Sequence, residues 1–275
     1  MDSAIDPKQI VTDTTLTYAI VIEYKFKNGK KSDKGTEIAK YGFDKRNNLV
    51  ENHDKKGLYL RYAFDSLNNV YEEYFYEKYD SITGFRIPSS KWIHEYTNGV
   101  ISKTLRYYIN NSQWVLEETI RRQYVLNTQN QIIEDSLFDN SNKLKQTVKS
   151  EYLTDAIFEK YPFDFNRIGT LTKHFCTKEI RYSDAGEVKD STRYIYDQFK
   201  RLSKKFEYNL NQSNATVITY KYDEKDRLIE QSQYFGDTDD LFYTIKFEYD
   251  KNGLRLNETW LDSNHIPSWT REFRY

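Results

Sequence analysis

The chain holds a single cysteine, Cys176, so no disulfide can form within it, and cysteine usage points to neither an oxidising nor a reducing compartment. Glycine (10) and proline (4) are scarce in 275 residues, which excludes collagen-like and low-complexity chains. No segment approaches the roughly 18 apolar residues that a membrane helix needs. Neither sign of charge dominates: 41 basic against 42 acidic residues give a net charge of -1, which argues against a nucleic-acid or anionic-membrane partner. The first fifteen residues, "MDSAIDPKQIVTDTT", lack the basic start and apolar run of a signal peptide. They read as a polar lead (1–15) on a chain that is either cytosolic or begins after a removed signal. The second is favoured, giving a secreted, periplasmic or cell-surface protein. GxSxG, P-loop, GxGxxG and HExxH motifs are all missing.

What the chain does have is aromatic residues among charges. Tyr 25, Phe 16 and Trp 4 make 16% of the sequence, while mean hydropathy is only -0.87. Large rings among many charges suit a thin β-sheet whose pleated surface each ring half covers, rather than a thick aliphatic core.

The same short phrase recurs along the chain: an aromatic, Asp, three spacers, a polar or basic residue and an aliphatic. It appears at Phe43-Asp44…Asn48-Leu49, Phe64-Asp65…Asn69-Val70, Phe138-Asp139…Lys143-Leu144, Tyr196-Asp197…Arg201-Leu202 and Tyr222-Asp223…Arg227-Leu228. Looser copies carry Asn, at Ile109-Asn110…Trp114-Val115 and Leu126-Asn127…Gln131-Ile132, and Tyr249-Asp250 has one extra spacer before Arg255-Leu256. Glu follows two residues after the aliphatic at Glu51, Glu72, Glu117, Glu134 and Glu230. An Asp or Asn side chain accepts a bond from a backbone N–H two residues on and closes a turn. The flanks alternate with period 2, as half-buried strands do. Tyr18, Ile20, Ile22, Tyr24 and Phe26 fall on one face of their strand, as do Leu241, Tyr243, Ile245, Phe247 and Tyr249 of theirs.

Closing tyrosines come at regular intervals, at Tyr96, Tyr124, Tyr152 and Tyr182, then at Tyr196, Tyr222, Tyr249 and Tyr275. Each interval fits two strands and two turns, one hairpin per repeat. The expected fold is all-β: an antiparallel meander of tandem hairpins, 16–20 strands by this spacing, in one large sheet that is twisted, curled or closed like a barrel. Residues 16–275 read as a single β-repeat domain, with an irregular insertion near 153–170.

At Tyr196-Asp197…Arg201-Leu202 and Tyr222-Asp223…Arg227-Leu228 the sequence resembles the YD-repeat (Rhs-type) β-proteins of bacteria, in degenerate form over residues 41–275. The family usually has Gly just before the Arg. Here Lys200 and Asp226 stand there, and only Gly253 follows the pattern. The resemblance implies a β-repeat architecture. Large members wrap such a sheet around a toxic cargo, and this chain is too short for that.

Few residues suggest chemistry. His174 and Cys176 share a strand face, but a zinc site needs about four ligands, and no CxxC or HxxxH supplies them. Packing is the plainer reading, as it is for His53, His94 and His265, and no metal or cofactor is expected. Gly236–Asp240 ("GDTDD") groups three carboxylates, which suits a solvated hairpin tip better than a cation site. The best surface candidates are aromatic: Trp260, Trp269 and Phe273 around the last hairpin, and Trp92 and Trp114 in the N-terminal half. The function expected is non-enzymatic: a binding or scaffold protein offering an extended sheet to a protein or glycan. The alternatives are a toxin-neutralising protein or a hydrolase with an unrecognised acidic site. If the final strand, "SWTREFRY", lies at a sheet edge, its free backbone groups invite a partner strand, while Arg271, Glu272 and Arg274 work against such addition.

Overall fold

A computed structural model describes residues 16–46, 48–54, 59–65, 69–76, 78–79, 86–97, 100–111, 113–129, 131–153, 175–209, 215–236 and 240–275. The polar lead 1–15, most of the insertion near 153–170, His174 and most of the acidic tip after Gly236 lie outside them. The first half of the chain forms β1 (Thr17–Lys27), β2 (Lys30–Lys31), β3 (Thr36–Phe43), β4 (Leu49–Asp54), β5 (Tyr59–Phe64), β6 (Val70–Tyr76), β7 (Lys78–Tyr79), β8 (Arg86–Ile87), β9 (Ser90–Thr97), β10 (Val100–Asn110) and β11 (Gln113–Leu126). The second half forms β12 (Ile132–Phe138), β13 (Leu144–Tyr152), β14 (Cys176–Ser183), β15 (Val188–Tyr196), β16 (Leu202–Asn209), β17 (Thr216–Tyr222), β18 (Leu228–Phe235), β19 (Asp240–Tyr249), β20 (Arg255–Leu261) and β21 (Pro267–Arg274). No helix occurs among the described residues.

Every long strand pairs antiparallel with its sequence neighbour, and β6 passes to β9 over the small β7–β8 hairpin. The ring closes where β21 lies against β1, from Ile20↔Arg274 to Lys25↔Trp269. Leaving out the short β2, β7 and β8, this is a closed meander barrel of 18 strands. The terminal hairpin is therefore no sheet edge. The ladder groups of β21 are taken by β20 on one side and β1 on the other, which removes strand addition as its role.

A ring of 18 strands is wider than the eight-stranded barrels whose interiors side chains just fill. Among the described residues the wall is a single sheet thick, and both of its faces carry exposed residues. Its largest apolar nucleus is small, with Leu49, Tyr62 and Val70 buried and Tyr41, Phe43, Leu60 and Phe64 packed against them.

The turns explain the sequence repeat. In the turn after β17, Asp223 Oδ1 accepts from the backbone N–H groups of Lys225 and Arg227, both at 2.9 Å. The Asp223 N–H reaches Arg227 O, and the Asp226 N–H reaches Asp223 O. The same pattern recurs at Asp139, Asp197, Asp250 and Asp262. Ser183 supplies its hydroxyl in the same role, accepting from Ala185 and Glu187. The third residue after each anchor is left-handed: Asn142 (φ 63°), Gly186 (80°), Lys200 (61°), Asp226 (59°), Gly253 (87°) and His265 (60°). That is the position to which the YD pattern gives glycine, and an L-residue there is strained. The Asn110 copy is different. Asn110 pairs directly with Gln113 across a two-residue hairpin, so no five-residue turn forms.

Strict alternation places the turns after β3, β5, β11, β15, β17 and β19 on one rim. Those anchored by Asp139, Ser183 and Asp262 lie on the other. On the first rim the closing tyrosines each donate to the start of a strand in the preceding hairpin: Tyr96 to Val70 O, Tyr124 to Ile101 O, Tyr152 to Ile132 O, Tyr196 to Cys176 O, Tyr222 to Leu202 O and Tyr249 to Leu228 O, at 2.5–2.9 Å. Arginine links one turn to the next. Arg201 pairs with its own Asp197 (2.8 Å), reaches Asp226 in the next turn (2.8 Å) and lies over the Tyr222 ring (4.9 Å). Arg227 pairs with Asp223, reaches Asp250 O (3.1 Å) and lies over Tyr249 (5.1 Å). The repeated residues are thus both turn formers and inter-turn ties.

Candidate functional site

The ladders fix which side chains share a face. Trp92 lies opposite Arg106, and Lys91 opposite Tyr107, so these two neighbours look to the two sides of the wall. Followed around the ring, the Trp92 face carries Tyr41, Tyr62, Glu73, His94, Trp260 and Trp269. The Lys91 face carries Tyr18, Glu51, Arg61, Tyr74 and Trp114.

The five aromatic candidates are placed accordingly. Trp260 and Trp269 are direct cross-strand partners, stacked at 4.5 Å and 25°, with Tyr243 stacked on Trp260 at 4.7 Å. Arg271 lies 4.5 Å over Trp269 and caps that end. The ring faces are largely spent on one another, and the group reads as a brace across β19, β20 and β21. Phe273 shares this face further along β21. Trp92 and Trp114, a pair by sequence, lie on opposite faces: Trp92 packs against Phe75 and His94, while Trp114 meets Tyr74 edge-on at 6.4 Å.

The densest polar arrangement is one the sequence did not single out as a site. A single register row crosses eight strands of the Lys91 face: Tyr18↔Gly42↔Glu51↔Arg61↔Tyr74↔Lys91↔Tyr107↔Leu116. Within it Glu51, Arg61, Tyr74 and Lys91 are all buried. Gly42 opens the row, because a Cβ there would stand 2.9 Å from the Tyr18 ring and 3.3 Å from Glu51 Cβ. Tyr18 fills that space and donates to Glu51 Oε2 at 3.2 Å. Tyr59 donates to Oε1 at 2.8 Å, His53 Nε2 stands 3.4 Å from Oε2, and Arg61 Nε is 3.8 Å from Oε1. Burial by itself would raise the Glu51 carboxyl, but the bonds from His53 and Tyr59 and the Arg61 charge outweigh it and bring it to about 2. Tyr59 moves far the other way, through burial and its bond to Glu51. A carboxylate so engaged is a fixed charge and a poor proton shuttle.

Lys91 differs from its neighbours in the row. It is 6% exposed. Its Nζ lies 4.9 Å from the Trp114 ring centre and 5.3 Å from that of Tyr107. Burial lowers its pKa, with Glu72 opposing.

On the other face, buried His94 bridges Glu73 Oε1 (2.9 Å at Nε2) and Thr104 Oγ1 (3.0 Å at Nδ1). This chain of carboxylate, imidazole and hydroxyl resembles a nucleophile relay. However, Thr104 is buried, and the strands around it run in paired ladders, which leaves no convergent donors for an oxyanion. It reads as a satisfied polar bridge. No cluster of three or more metal-ligating side chains occurs among the described residues.

Sequence reasoning missed this row because cross-strand register decides it. Its one visible trace was the Glu that follows each aliphatic, of which Glu51 and Glu72 fall on the Lys91 face.

No protein family matches the chain, and no curated protein does. Among solved structures it is similar to a porin-like protein from Bacteroides uniformis (TM-score 0.46, 9% identity, covering 93% of this chain and 96% of that one). It is also similar to a porin-like protein from Bacteroides vulgatus (0.36, 8%, 93% and 98%) and to a protein of unknown function from Bacteroides fragilis (0.25, 12%, 66% and 94%).

Proposed function

We propose that this chain is a non-enzymatic binding barrel that works with water on both faces and takes a polar partner, a glycan, on its wall. One observation carries the reading: charged residues stand within the strands on both sides. On the Trp92 face these include Glu23, Arg106, Glu179, Glu207, Glu258 and Arg271; on the Lys91 face, Lys40, Arg61, Lys149, Arg193, Lys204 and Lys246. A lipid-facing Arg or Lys at the bilayer midplane costs about 2–4 kcal/mol, so neither face suits acyl chains. Many of these charges are paired across strands instead, as in Arg181–Asp190 at 3.2 Å and Lys221–Glu230 at 2.7 Å. A glycan fits better than a protein because the wall offers scattered rings and fixed hydrogen-bonding groups rather than a contiguous apolar patch. The turn geometry, left-handed where YD repeats place glycine, supports a divergent YD-repeat ancestry.

Two measurements test this reading. Detergent phase partition should leave the folded protein in the aqueous phase, and planar bilayers should show no conductance steps. A glycan array should then return a retained class of saccharide. Recovery in the detergent phase with discrete conductance would overturn the reading.

A further inference from the structure

We propose that Lys91 anchors the carboxylate of an acidic saccharide on the Lys91 face. The proposal rests on the glycan reading above and specifies its ligand. Lysine normally keeps its ammonium in water while burying its stem. Here more than nine-tenths of the residue is covered, and its charge is met by the ring faces of Trp114 and Tyr107. Among the described residues no hydrogen-bond acceptor is recorded for Nζ.

Its neighbours in the same row are treated differently. Glu51 holds two tyrosine hydroxyls and a histidine, and Arg61 lies against Glu51. The nearest carboxylate acting on Lys91, Glu72, already accepts the Tyr74 hydroxyl at 2.8 Å. Ring faces compensate a cation only in part, and Nζ itself is not sealed from solvent, so its three N–H donors can take an added oxygen acceptor with negative charge. The acceptor should be a monoanion. With a single ammonium to meet it, a phosphate dianion would leave one charge uncompensated and carry a much larger desolvation cost, whereas a uronate carboxylate brings a single charge. Such a sugar also brings an apolar ring face for the tyrosine and tryptophan edges beside the ammonium.

The experiment is calorimetric titration of the whole chain with trigalacturonate, maltotriose and inorganic phosphate, repeated on Lys91→Met and Lys91→Arg. In parallel, the Lys91 Cε resonance is followed by NMR against pH, with and without trigalacturonate. Wild type should prefer trigalacturonate over maltotriose by at least about tenfold, roughly one hydrogen-bonded charge pair. Lys91→Met should lose that preference while still binding maltotriose, and Lys91→Arg should keep part of it. In the NMR titration Lys91 should deprotonate at higher pH when the probe is bound.

An acidic preference that survives Lys91→Met overturns the proposal and leaves the glycan reading standing. Phosphate binding as tight as trigalacturonate overturns the saccharide assignment. Wild type that binds neither sugar overturns both. If Lys91→Met does not fold, an unmoved Lys91 titration in wild type is sufficient to reject the proposal.

Discussion

The N-terminal arc of the barrel, β3 to β11, and the C-terminal arc, β14 to β21, are built from the same hairpins but held together in different places. In the C-terminal arc much of the cohesion sits on the rim: Asp197, Asp223, Asp250 and Asp262 anchor their turns, and Arg201 and Arg227 each reach into the next one. On the Lys91 face of that arc the charged residues Arg193, Lys221 and Lys246 are exposed, and the buried residues Ser232, Thr244 and Thr270 are small hydroxyls paired across strands. In the N-terminal arc the cohesion sits in the wall, around Glu51, and the anchors at Asp44 and Asp65 are followed by Asn48 and Asn69 instead of Arg. A single-layer wall has no deep core to rely on. Each arc compensates with a polar lattice, one in the turns and one across the strands.

The largest expected effect would break that contrast at its hub. Glu51→Leu removes the acceptor of two tyrosine hydroxyls and the carboxylate facing Arg61 and His53 and should destabilise the barrel by about 3–5 kcal/mol, read from chemical denaturation. Next comes acidity. The Glu51 carboxyl lies at about 2 when folded, below its ordinary 4.5. A depressed carboxyl contributes stability above its unfolded pKa and loses it as pH falls through the folded value. Wild type should therefore weaken between about pH 5 and pH 2, and Glu51→Gln, already weaker, should show a flatter profile. On the rim, Asp250→Ala removes the acceptor of two backbone N–H groups and should cost about 1 kcal/mol. That is smaller than the Glu51 effect, and an equal loss would erase the distinction between the arcs. The smallest effect has the opposite sign. Lys200→Gly at φ 61° should stabilise by up to about 1 kcal/mol, while Gly253→Ala at φ 87° should destabilise by a similar amount, both measurable by thermal melting.

The fold was legible because it is periodic. A turn anchored every hairpin by Asp leaves the same residues at the same spacing, and strand number follows from chain length divided by that spacing. Two copies escaped the pattern. Ser183 replaces Asp with a hydroxyl that accepts the same bonds, and Asp262 precedes His265 and Ile266 rather than a basic-aliphatic pair. The Asn110 copy was read as an anchor but forms a two-residue hairpin.

The binding candidates were much less legible. Trp92 and Trp114 look paired by spacing, yet the β-bulge between Arg106 and Tyr107 and the parity of each ladder send them to opposite faces. Lys91, Tyr107 and Trp114 come from three strands, and only register brings them together. Sequence alternation gives two faces per strand, but it does not say which face of one strand continues which face of the next.

The seam between β1 and β21 has a consequence for how the chain folds. Ile20 meets Arg274, so the last ladder joins residues separated by nearly the whole chain. During synthesis β3 can pair with β1 early, but the other side of β1, "TYAIVIEYKFK", must wait for the final strand. Until then it is an open, apolar edge. Closure of the ring should therefore be the slow, concentration-sensitive step, because this strand can be captured by a second chain before its own terminus arrives.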